Sequence, residues 1–246
     1  SKPTLTITPE GGEESDKAGS SVKESGLDEG SNPGDSKTTT GTLNITTGGD
    51  ELEKVTINGE DVTGGGEVTT DNGTLKVTVD EDGEYHYEYT LDTPTTEGED
   101  DEDVFTVEVT DSDGDKVDAT LTIDIIDDVP TAKDDRFTQT TENAPITGNV
   151  LDVNGEDGVE DIFGADGPAA DAPIKVVEGS LSGKGTLEFD QETGEFTYTP
   201  HADDRDESEV TFEYTITDGD GDTSTATVTI ELIADSKPTL TITPEG

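Results

Sequence analysis

Two short loops in the sequence carry three aspartates at alternating positions, with small residues between them. They read Asp111-Ser-Asp113-Gly-Asp115 and Asp218-Gly-Asp220-Gly-Asp222. Asp and Gly favour tight turns, which accounts for one or two aspartates in each loop. Three carboxylates at alternate positions repel one another unless a neutral or positive group lies between them, and Ca²⁺ readily combines carboxylate with carbonyl ligands. The loops therefore predict calcium sites, and Mg²⁺ suits them less because it retains its water shell.

The loops are not EF-hands. Position six of an EF-hand loop is Gly and position twelve is Glu. Here position six is Lys116 or Thr223, and position twelve is Thr122 or Thr229. The calcium prediction consequently depends on the aspartate spacing and on what the fold brings near it.

The segments on either side of these loops alternate apolar and polar residues with a period of two, which indicates strands with one face inward. Further pairs of such segments occur earlier in each half of the chain, and no stretch has a helical period. The inward positions are Leu75, Val77, Val79, Tyr85, Tyr87, Tyr89, Phe105, Val107, Val109, Ala119, Leu121, Ile123, Ile125, Leu187, Phe189, Phe196, Tyr198, Phe212, Tyr214, Ile216, Ala226, Val228, Ile230 and Leu232. Short alternating strands separated by Gly-rich turns predict an all-β fold of the β-sandwich type, with each aspartate loop joining the last two strands of a sandwich.

The chain contains two levels of repetition. The peptide SKPTLTITPEG occurs at 1–11 and again at 236–246, and VTDSDGDKVDATLTIDI (109–125) matches ITDGDGDTSTATVTIEL (216–232). Repeats of this kind indicate an array in which neighbouring units touch end to end. We therefore predict one domain at 1–128, a second at 129–235, and the start of the next repeat at 236–246. The segment from Gly11 to Thr40 is either a long excursion or poorly ordered.

Sandwich topology predicts which acidic groups meet. The loop at 218–222 should lie at the end where the chain enters the second domain, and it should face the linker residues Asp127 and Asp128. The acidic stretch 99–103, with Glu99 and Asp101, should approach from the first domain. Asp235 matches Asp128 in the internal repeat and is the equivalent candidate ligand. An inter-domain ion site follows from this convergence.

The net charge of the chain limits the classes of molecule that can bind it. The chain has 13 Lys and Arg and 62 Asp and Glu, which gives a net charge of −49, and it contains no cysteine. Such a field repels phosphate, so nucleic acids and anionic membranes are excluded as partners, and cations are favoured. No apolar run approaches the ~20 residues of a membrane span, and no signal peptide opens the sequence. His86 and His201 are expected to be surface residues, and no catalytic motif accompanies them, so we expect no enzyme.

Several peptides resemble known repeat domains. TAKDDRFTQTTENAPITGNVL (131–151), GTLEFDQETGEFTYTP (185–200) and DGDGDTSTATVTIEL (218–232) resemble the VCBS and cadherin-like repeats of giant bacterial adhesins. VKESGLDEGS (22–31) and GTLKVTVDEDGEYHYEYTLDTP (73–94) resemble the tandem-repeat domain of type-I-secreted RTX adhesins. The resemblance implies two tandem Ig-like or cadherin-like domains, secreted to the bacterial cell surface, monomeric, and in contact with neighbouring repeats of the same chain. It also implies that Glu24 and Glu142 join the linker aspartates around calcium.

Three functions fit these observations. The first is a calcium-rigidified spacer in the repeat array of an adhesin that supports cell adhesion or biofilm formation. The second is a calcium-dependent module that binds a glycan or another cell. The third is an acidic, salt-adapted surface protein without specific calcium sites.

Overall fold

The computed structural model describes residues 1–10, 20–96, 101–152, 160–201, 207–236 and 240. The chain forms two compact units: unit 1 comprises Ser1–Val129 with Gly164–Gly167, and unit 2 comprises Pro130–Phe163 with Pro168–Gly246. The described residues contain strands and one short 3₁₀ turn but no α-helix, which confirms the all-β prediction. Within this part of the chain, no helix has the length and apolar character needed to cross a bilayer.

The described residues of unit 1 form ten strands and the 3₁₀ turn η1 (Glu24–Gly26). The strands are β1 (Thr4–Pro9), β2 (Ser20–Lys23), β3 (Thr38–Thr46), β4 (Leu52–Ile57), β5 (Glu60–Asp61), β6 (Gly66–Thr69), β7 (Gly73–Val79), β8 (Tyr85–Leu91), β9 (Asp101–Asp111) and β10 (Lys116–Ile126). They form two five-stranded sheets in the orders β1-β3-β8-β7-β6 and β2-β10-β9-β4-β5. All pairs are antiparallel except β2, which runs parallel to β10.

The core of unit 1 is built from the alternating side chains that the sequence predicts to point inward. Tyr87, Tyr89 and Phe105 are almost wholly buried, and the rings of Tyr89 and Phe105 meet edge to face at 6.0 Å. The long hairpin β9–β10 pairs Val107 with Ala119 and ends in the 111–115 loop. Burial of one face of each strand therefore fixes where this loop lies.

Unit 2 repeats the plan with fewer strands. They are β11 (Asp135–Thr138), β12 (Ile146–Asn149), β13 (Ile174–Val176), β14 (Thr186–Phe189), β15 (Glu195–Thr199), β16 (Glu209–Thr217) and β17 (Thr223–Glu231). They form sheets in the orders β11-β17-β16-β13 and β12-β15-β14, with β11 parallel to β17. Phe196, Phe212 and Tyr214 lie in the core. The hairpin β16–β17 ends in the 218–222 loop.

Parts of the chain differ from simple expectation. Residues 20–26, inside the segment predicted to be an excursion, form β2 and η1, whereas 11–19 lie outside the described residues. Unit 1 also includes Gly164–Gly167, which the sequence analysis places in the second domain. Of the predicted next repeat, 236–246, only Ser236 and Leu240 are described.

Candidate metal sites

The first acidic group, the Asp111 cluster, consists of Asp50, Asp111 and Asp113. One carboxylate oxygen from each lies within 4.8 Å of the others. Asp111 ends β9 and is fully buried; its Oδ1 accepts a hydrogen bond from the backbone N–H of Asp115 at 2.9 Å, which closes the turn. Its Oδ2 is buried and accepts no hydrogen bond from the described residues. A hydrogen bond shared with the Asp111 carboxyl raises the pKa of Asp113.

The second group, the Asp218 cluster, consists of Asp218, Asp220 and Asp222. One oxygen from each again lies within 4.8 Å of the others. Asp218 is 1% exposed, and its Oδ1 accepts a hydrogen bond from the N–H of Gly221, whose φ of 111° suits only glycine. Within the described residues, Oδ2 of Asp218 and Oδ2 of Asp220 are buried and receive no donor. Burial and the Asp220 carboxyl raise the pKa of Asp218 to about 7.

The third group, the Glu24 cluster, brings together three parts of unit 1 that are far apart in sequence. Glu24 opens η1, Asp127 follows β10, and Asp166 lies in the segment 164–167; their carboxylate oxygens approach within 4.8 Å. Glu24 is fully buried and accepts a hydrogen bond through Oε1 from the backbone N–H of Thr95 at 2.6 Å. Its Oε2 is buried and receives no donor from the described part of the chain. Glu24 thus lies near the linker residue Asp127, and that the two hold an ion stays a prediction.

Asp128 has a different role from its neighbour Asp127. It is 5% exposed, and its Oδ2 accepts hydrogen bonds from the backbone N–H groups of Ser31 at 2.7 Å and Ala165 at 3.0 Å. Its Oδ1 accepts a further bond from the Ser31 hydroxyl. By accepting these hydrogen bonds, the Asp128 carboxylate connects the loops that contain Ser31 and Ala165. Asp128 is not part of the Glu24 cluster.

The other predicted ligands are dispersed. Asp115 lies beside the Asp111 cluster without joining it. Asp101 begins β9, accepts a hydrogen bond from the Glu102 N–H at 2.7 Å, and lines a cavity of about 630 Å³ that Asp166 also borders. Glu99 lies outside the described residues.

Two further predicted ligands, Glu142 and Asp235, form hydrogen bonds that fix the segment after β17 to the loop between β11 and β12. Glu142 accepts a hydrogen bond from the Ser236 N–H at 2.6 Å, and Asp235 accepts one from the Asn143 amide at 2.9 Å. The predicted meeting of the 218–222 loop with Asp127 and Asp128 involves both units and stays a prediction.

Sequence reasoning missed Asp50 and Asp166. Asp50 lies in the turn between β3 and β4, and its backbone N–H donates to the Thr47 carbonyl at 3.2 Å. Neither residue has the alternating aspartate spacing that marked 111–115 and 218–222. Only long-range contacts bring them to the clusters, so no local signal identifies them.

A fourth acidic group serves as a contrast. Asp80, Glu84 and His86 lie at the turn between β7 and β8, close enough to hold an ion. The group is largely exposed, and Asp80 Oδ1 accepts hydrogen bonds from the N–H groups of Asp82 and Glu84 at 2.9 and 2.8 Å. The position of the Asp80 side chain is therefore explained by its hydrogen bonds within the turn. None of these three side chains has a buried oxygen that lacks a donor.

The three clusters contain buried carboxylate oxygens that a positive partner would stabilise. A buried carboxylate oxygen that receives no donor loses its hydration without gaining a hydrogen bond, at a cost of about 1–3 kcal/mol. A proton or a cation removes that cost. All-oxygen ligands drawn from carboxylates fit a hard cation, and the irregular loop geometry fits Ca²⁺ better than the octahedral Mg²⁺.

In unit 2, the buried Asp135 and the half-buried Asp161 both contact the hydroxyl of Tyr214. The Tyr214 hydroxyl lies 2.7 Å from Asp161 Oδ2, 3.0 Å from Asp135 Oδ2 and 2.9 Å from the Lys133 carbonyl. The hydroxyl has one proton for three acceptors. Burial raises the pKa of Asp135 to about 7 and also raises the pKa of Asp161.

One family model matches the second half of the chain. Residues 127–231 match the family model Big_9, described as a bacterial Ig domain. This part of the chain is therefore similar to a bacterial Ig domain, in agreement with the two-sheet arrangement of unit 2. No curated protein matches the chain.

The solved structures that match the chain include animal cadherin domains and a parasite antigen. The mouse clustered protocadherin PcdhgC3 EC1-3 is 15% identical, with a TM-score of 0.30, covering 92% of this chain and 68% of that one. Protocadherin Gamma B7 domains 1-4 are 16% identical, with a TM-score of 0.32, 93% of this chain and 51% of that one. The bradyzoite antigen BSR4 of Toxoplasma gondii is 12% identical, with a TM-score of 0.39 over 94% and 98%. At such TM-scores the fold assignment rests on the strand pairing and the family match.

Proposed function

We propose that the chain is a structural spacer of a bacterial surface adhesin, made of repeated Ig-like domains that calcium stiffens. The observation that carries the proposal is the set of buried carboxylate oxygens without donors, on Glu24, Asp111, Asp218 and Asp220. Each lies in a group of three acidic side chains, and the exposed group at Asp80 has none. Burial without a donor is costly for a carboxylate and is relieved by a cation.

Calcium at the Glu24 cluster would connect segments that the strands leave far apart in sequence. Glu24, Asp127 and Asp166 belong to η1, the exit of β10 and a later loop, and they are brought to one point in unit 1. A cation there opposes their mutual repulsion and holds the exit of the unit in place. That is the property that a spacer needs at a joint.

The adhesin context and the bacterial cell surface are supported by the peptide repeat and by the resemblance of the chain to adhesin repeats. The expected partners are calcium and neighbouring repeats of the same chain, and we propose no catalytic role. The alternative of a glycan-binding module is less well supported, because all five tyrosines are buried and cannot stack on a sugar. The salt-adapted alternative does not account for acidic side chains that are buried in groups.

Calcium titration of the intact chain tests the proposal. After treatment with EDTA, calorimetry should show Ca²⁺ binding, and the melting temperature should rise in millimolar Ca²⁺ but much less in Mg²⁺. A ligand at one hundred times its Kd adds about 2.7 kcal/mol per site to the free energy of unfolding. The matched control is Asp118→Asn, which removes an exposed carboxylate of β10 outside the clusters and should leave binding unchanged. Identical melting in EDTA and in Ca²⁺ would refute calcium stabilisation.

A further inference from the structure

The hydroxyl of Tyr214 connects three elements of unit 2 at the point where β11 begins. Asp135 is the first residue of β11, Asp161 lies in the segment 160–163, and Tyr214 is on β16. The backbone N–H of Lys133 also donates to Oδ1 of Asp161, at 2.6 Å. These contacts fasten both the start of β11 and the segment 160–163 to the β16–β17 hairpin.

The hydrogen bonds at this hydroxyl need one proton more than the hydroxyl itself carries. The phenolic oxygen lies 2.7 Å from Asp161 and 3.0 Å from Asp135. Asp161 has the shorter contact and already accepts a backbone N–H, so it suits a carboxylate that receives the Tyr214 proton. Asp135 is 5% exposed, and within the described residues its side chain has no hydrogen-bonding partner other than Tyr214. A carboxylic acid at Asp135 can donate its own proton to the phenolic oxygen, whereas a carboxylate there would have no donor.

The charges around Asp135 favour the same assignment. Within the described residues, the charged and titratable groups near Asp135 and Asp161, from each element packed against them, are Lys133, Asp134, Arg136, Glu160, Asp161 and Tyr214. Arg136 is already paired with Glu231 at 2.8 Å, and Lys133 is exposed. β17 faces Asp135 with the uncharged Val228, and β12 has no charged residue. Burial, with a smaller contribution from the neighbouring acidic charges, raises the pKa of Asp135 to about 7.

β11 is held more weakly than the hairpin beside it. It is the edge strand in the order β11-β17-β16-β13, and it pairs with β17 over four residues, from Asp135 to Thr138. Its half-buried Phe137 meets Phe196 edge to face, with the ring centroids 5.0 Å apart. The β16–β17 hairpin, by contrast, pairs over nine residues of each strand. A short edge strand can therefore open while the hairpin remains folded.

We propose that the side chains of Asp135, Tyr214 and Asp161 form a proton-operated latch that holds β11 on β17. When Asp135 carries the proton, it donates to the phenolic oxygen, Tyr214 donates to the Asp161 carboxylate, and β11 is closed. When this proton is lost to solvent, two carboxylates compete for the single proton of Tyr214, and β11 separates from β17 while the β16–β17 hairpin stays paired. The latch needs no calcium, and it goes beyond the proposed function.

The sign of the pH dependence follows from the two states of Asp135. In the closed state Asp135 keeps its proton up to about pH 7, whereas in the open state it is in solvent and loses the proton at about pH 4. The equilibrium constant for opening of β11 should therefore rise about tenfold per pH unit between about pH 4 and 7. Above about pH 7 it should become constant, because Asp135 is then ionised in both states.

Amide hydrogen exchange of the full chain, followed by NMR in EDTA, measures this opening. Each rate is divided into the rate of an unstructured peptide at the same pH, which removes the pH dependence of the exchange chemistry. The protection of the β11 amides should fall by about a hundredfold between pH 5 and 7, and the protection of the β16–β17 amides should fall much less. Asp218, whose pKa is also raised, lies at the turn of that hairpin, so its titration would appear in the hairpin amides.

Three variants assign the effect to the latch. Asp135→Asn supplies an N–H donor at every pH, so the protection of β11 should no longer fall between pH 5 and 7. Tyr214→Phe removes the connection, so the protection of β11 should already be low at pH 5. Asp171→Asn, which removes an exposed acidic group of unit 2, is the matched control and should keep the profile of the parent.

Two results would overturn the latch. One is a parent in which the protection of β11 is constant between pH 5 and 7, or falls only in parallel with that of the hairpin. The other is an Asp135→Asn variant that retains the fall seen in the parent. If Tyr214→Phe does not fold, the comparison of the parent with Asp135→Asn decides the question alone.

Discussion

Replacement of Asp218 by Asn should change stability in opposite directions with and without calcium. The Asp218 cluster places three carboxylates at one turn, and the Oδ2 atoms of Asp218 and Asp220 are buried without donors. Asn keeps the shape and one oxygen, but it removes a charge and adds an N–H₂ donor that can face Asp220. In EDTA the variant therefore loses repulsion and satisfies a buried acceptor.

The expected size follows from these contacts. Supplying a donor to one buried carboxylate oxygen that lacks one is worth about 1–2 kcal/mol, within the range for unsatisfied buried groups. For a unit of this size, 1 kcal/mol corresponds to a rise in Tm of about 4–8 °C. In saturating Ca²⁺ the parent gains about 2.7 kcal/mol from a site at one hundred times its Kd, and most of this gain should vanish in the variant.

Differential scanning calorimetry at pH 7.5 measures both effects. Asp218→Asn should melt above the parent in EDTA and below it in millimolar Ca²⁺. Asp171→Asn removes an exposed acidic group of unit 2 and controls for the change in net charge. A variant that melts below the parent in both conditions would show that the Asp218 charge is not a cost without metal, and the reasoning from the buried oxygens would be refuted.

Three further changes distinguish the roles of other acidic groups. Glu24→Gln should reduce the calcium gain of unit 1, measured as the shift in Tm between EDTA and Ca²⁺, and an unchanged shift would remove Glu24 from the site. Asp128→Asn should destabilise unit 1 by about 1–3 kcal/mol in urea titrations with or without Ca²⁺, because charged acceptors of the Ser31 donors are lost; a loss seen only in Ca²⁺ would instead make Asp128 a ligand. Since Asp135, like Asp218 of the same unit, binds its proton more tightly in the folded state, the calcium-free stability of unit 2 should fall as pH rises from about 4 to 7, and Asp135 should contribute up to ~1.4 kcal/mol per pH unit of that fall. Asp135→Asn should reduce the slope by that contribution in urea titrations at several pH values, and an equal slope would assign it to other groups.

The strand pattern was predictable because burial of one face imposes a period of two. Phe105, Val107 and Val109 alternate with polar residues and are fully buried, so the hairpins β9–β10 and β16–β17 follow from sequence. β2 was missed: its four residues are too few for a period to be recognised, and parallel pairing with β10 places Val22 in the core.

The acidic sites were predictable only where the ligands are local. Asp111 and Asp218 stand at the ends of strands whose loops repeat the aspartate spacing, and the turn itself draws their neighbours together. Asp50 and Asp166 lie in separate loops, and tertiary packing brings them to the Asp111 cluster and the Glu24 cluster. The resemblance to adhesin repeats named Glu24, whose sequence context alone gives no reason to expect a fully buried carboxylate.

The parallel pairing of β11 with β17 has a mechanical consequence. Residues Asp135 to Thr138 lie beside Val228 to Glu231, so the first and last strands of unit 2 run in the same direction. Tension applied to the two ends of the unit pulls these strands past each other along their length. The hydrogen bonds between β11 and β17 then share the force and do not break one at a time. The Arg136–Glu231 ion pair, at 2.8 Å, also joins these two strands. Unit 2 should therefore resist a stretching force applied at its two ends, because that force loads the hydrogen bonds between β11 and β17 in shear.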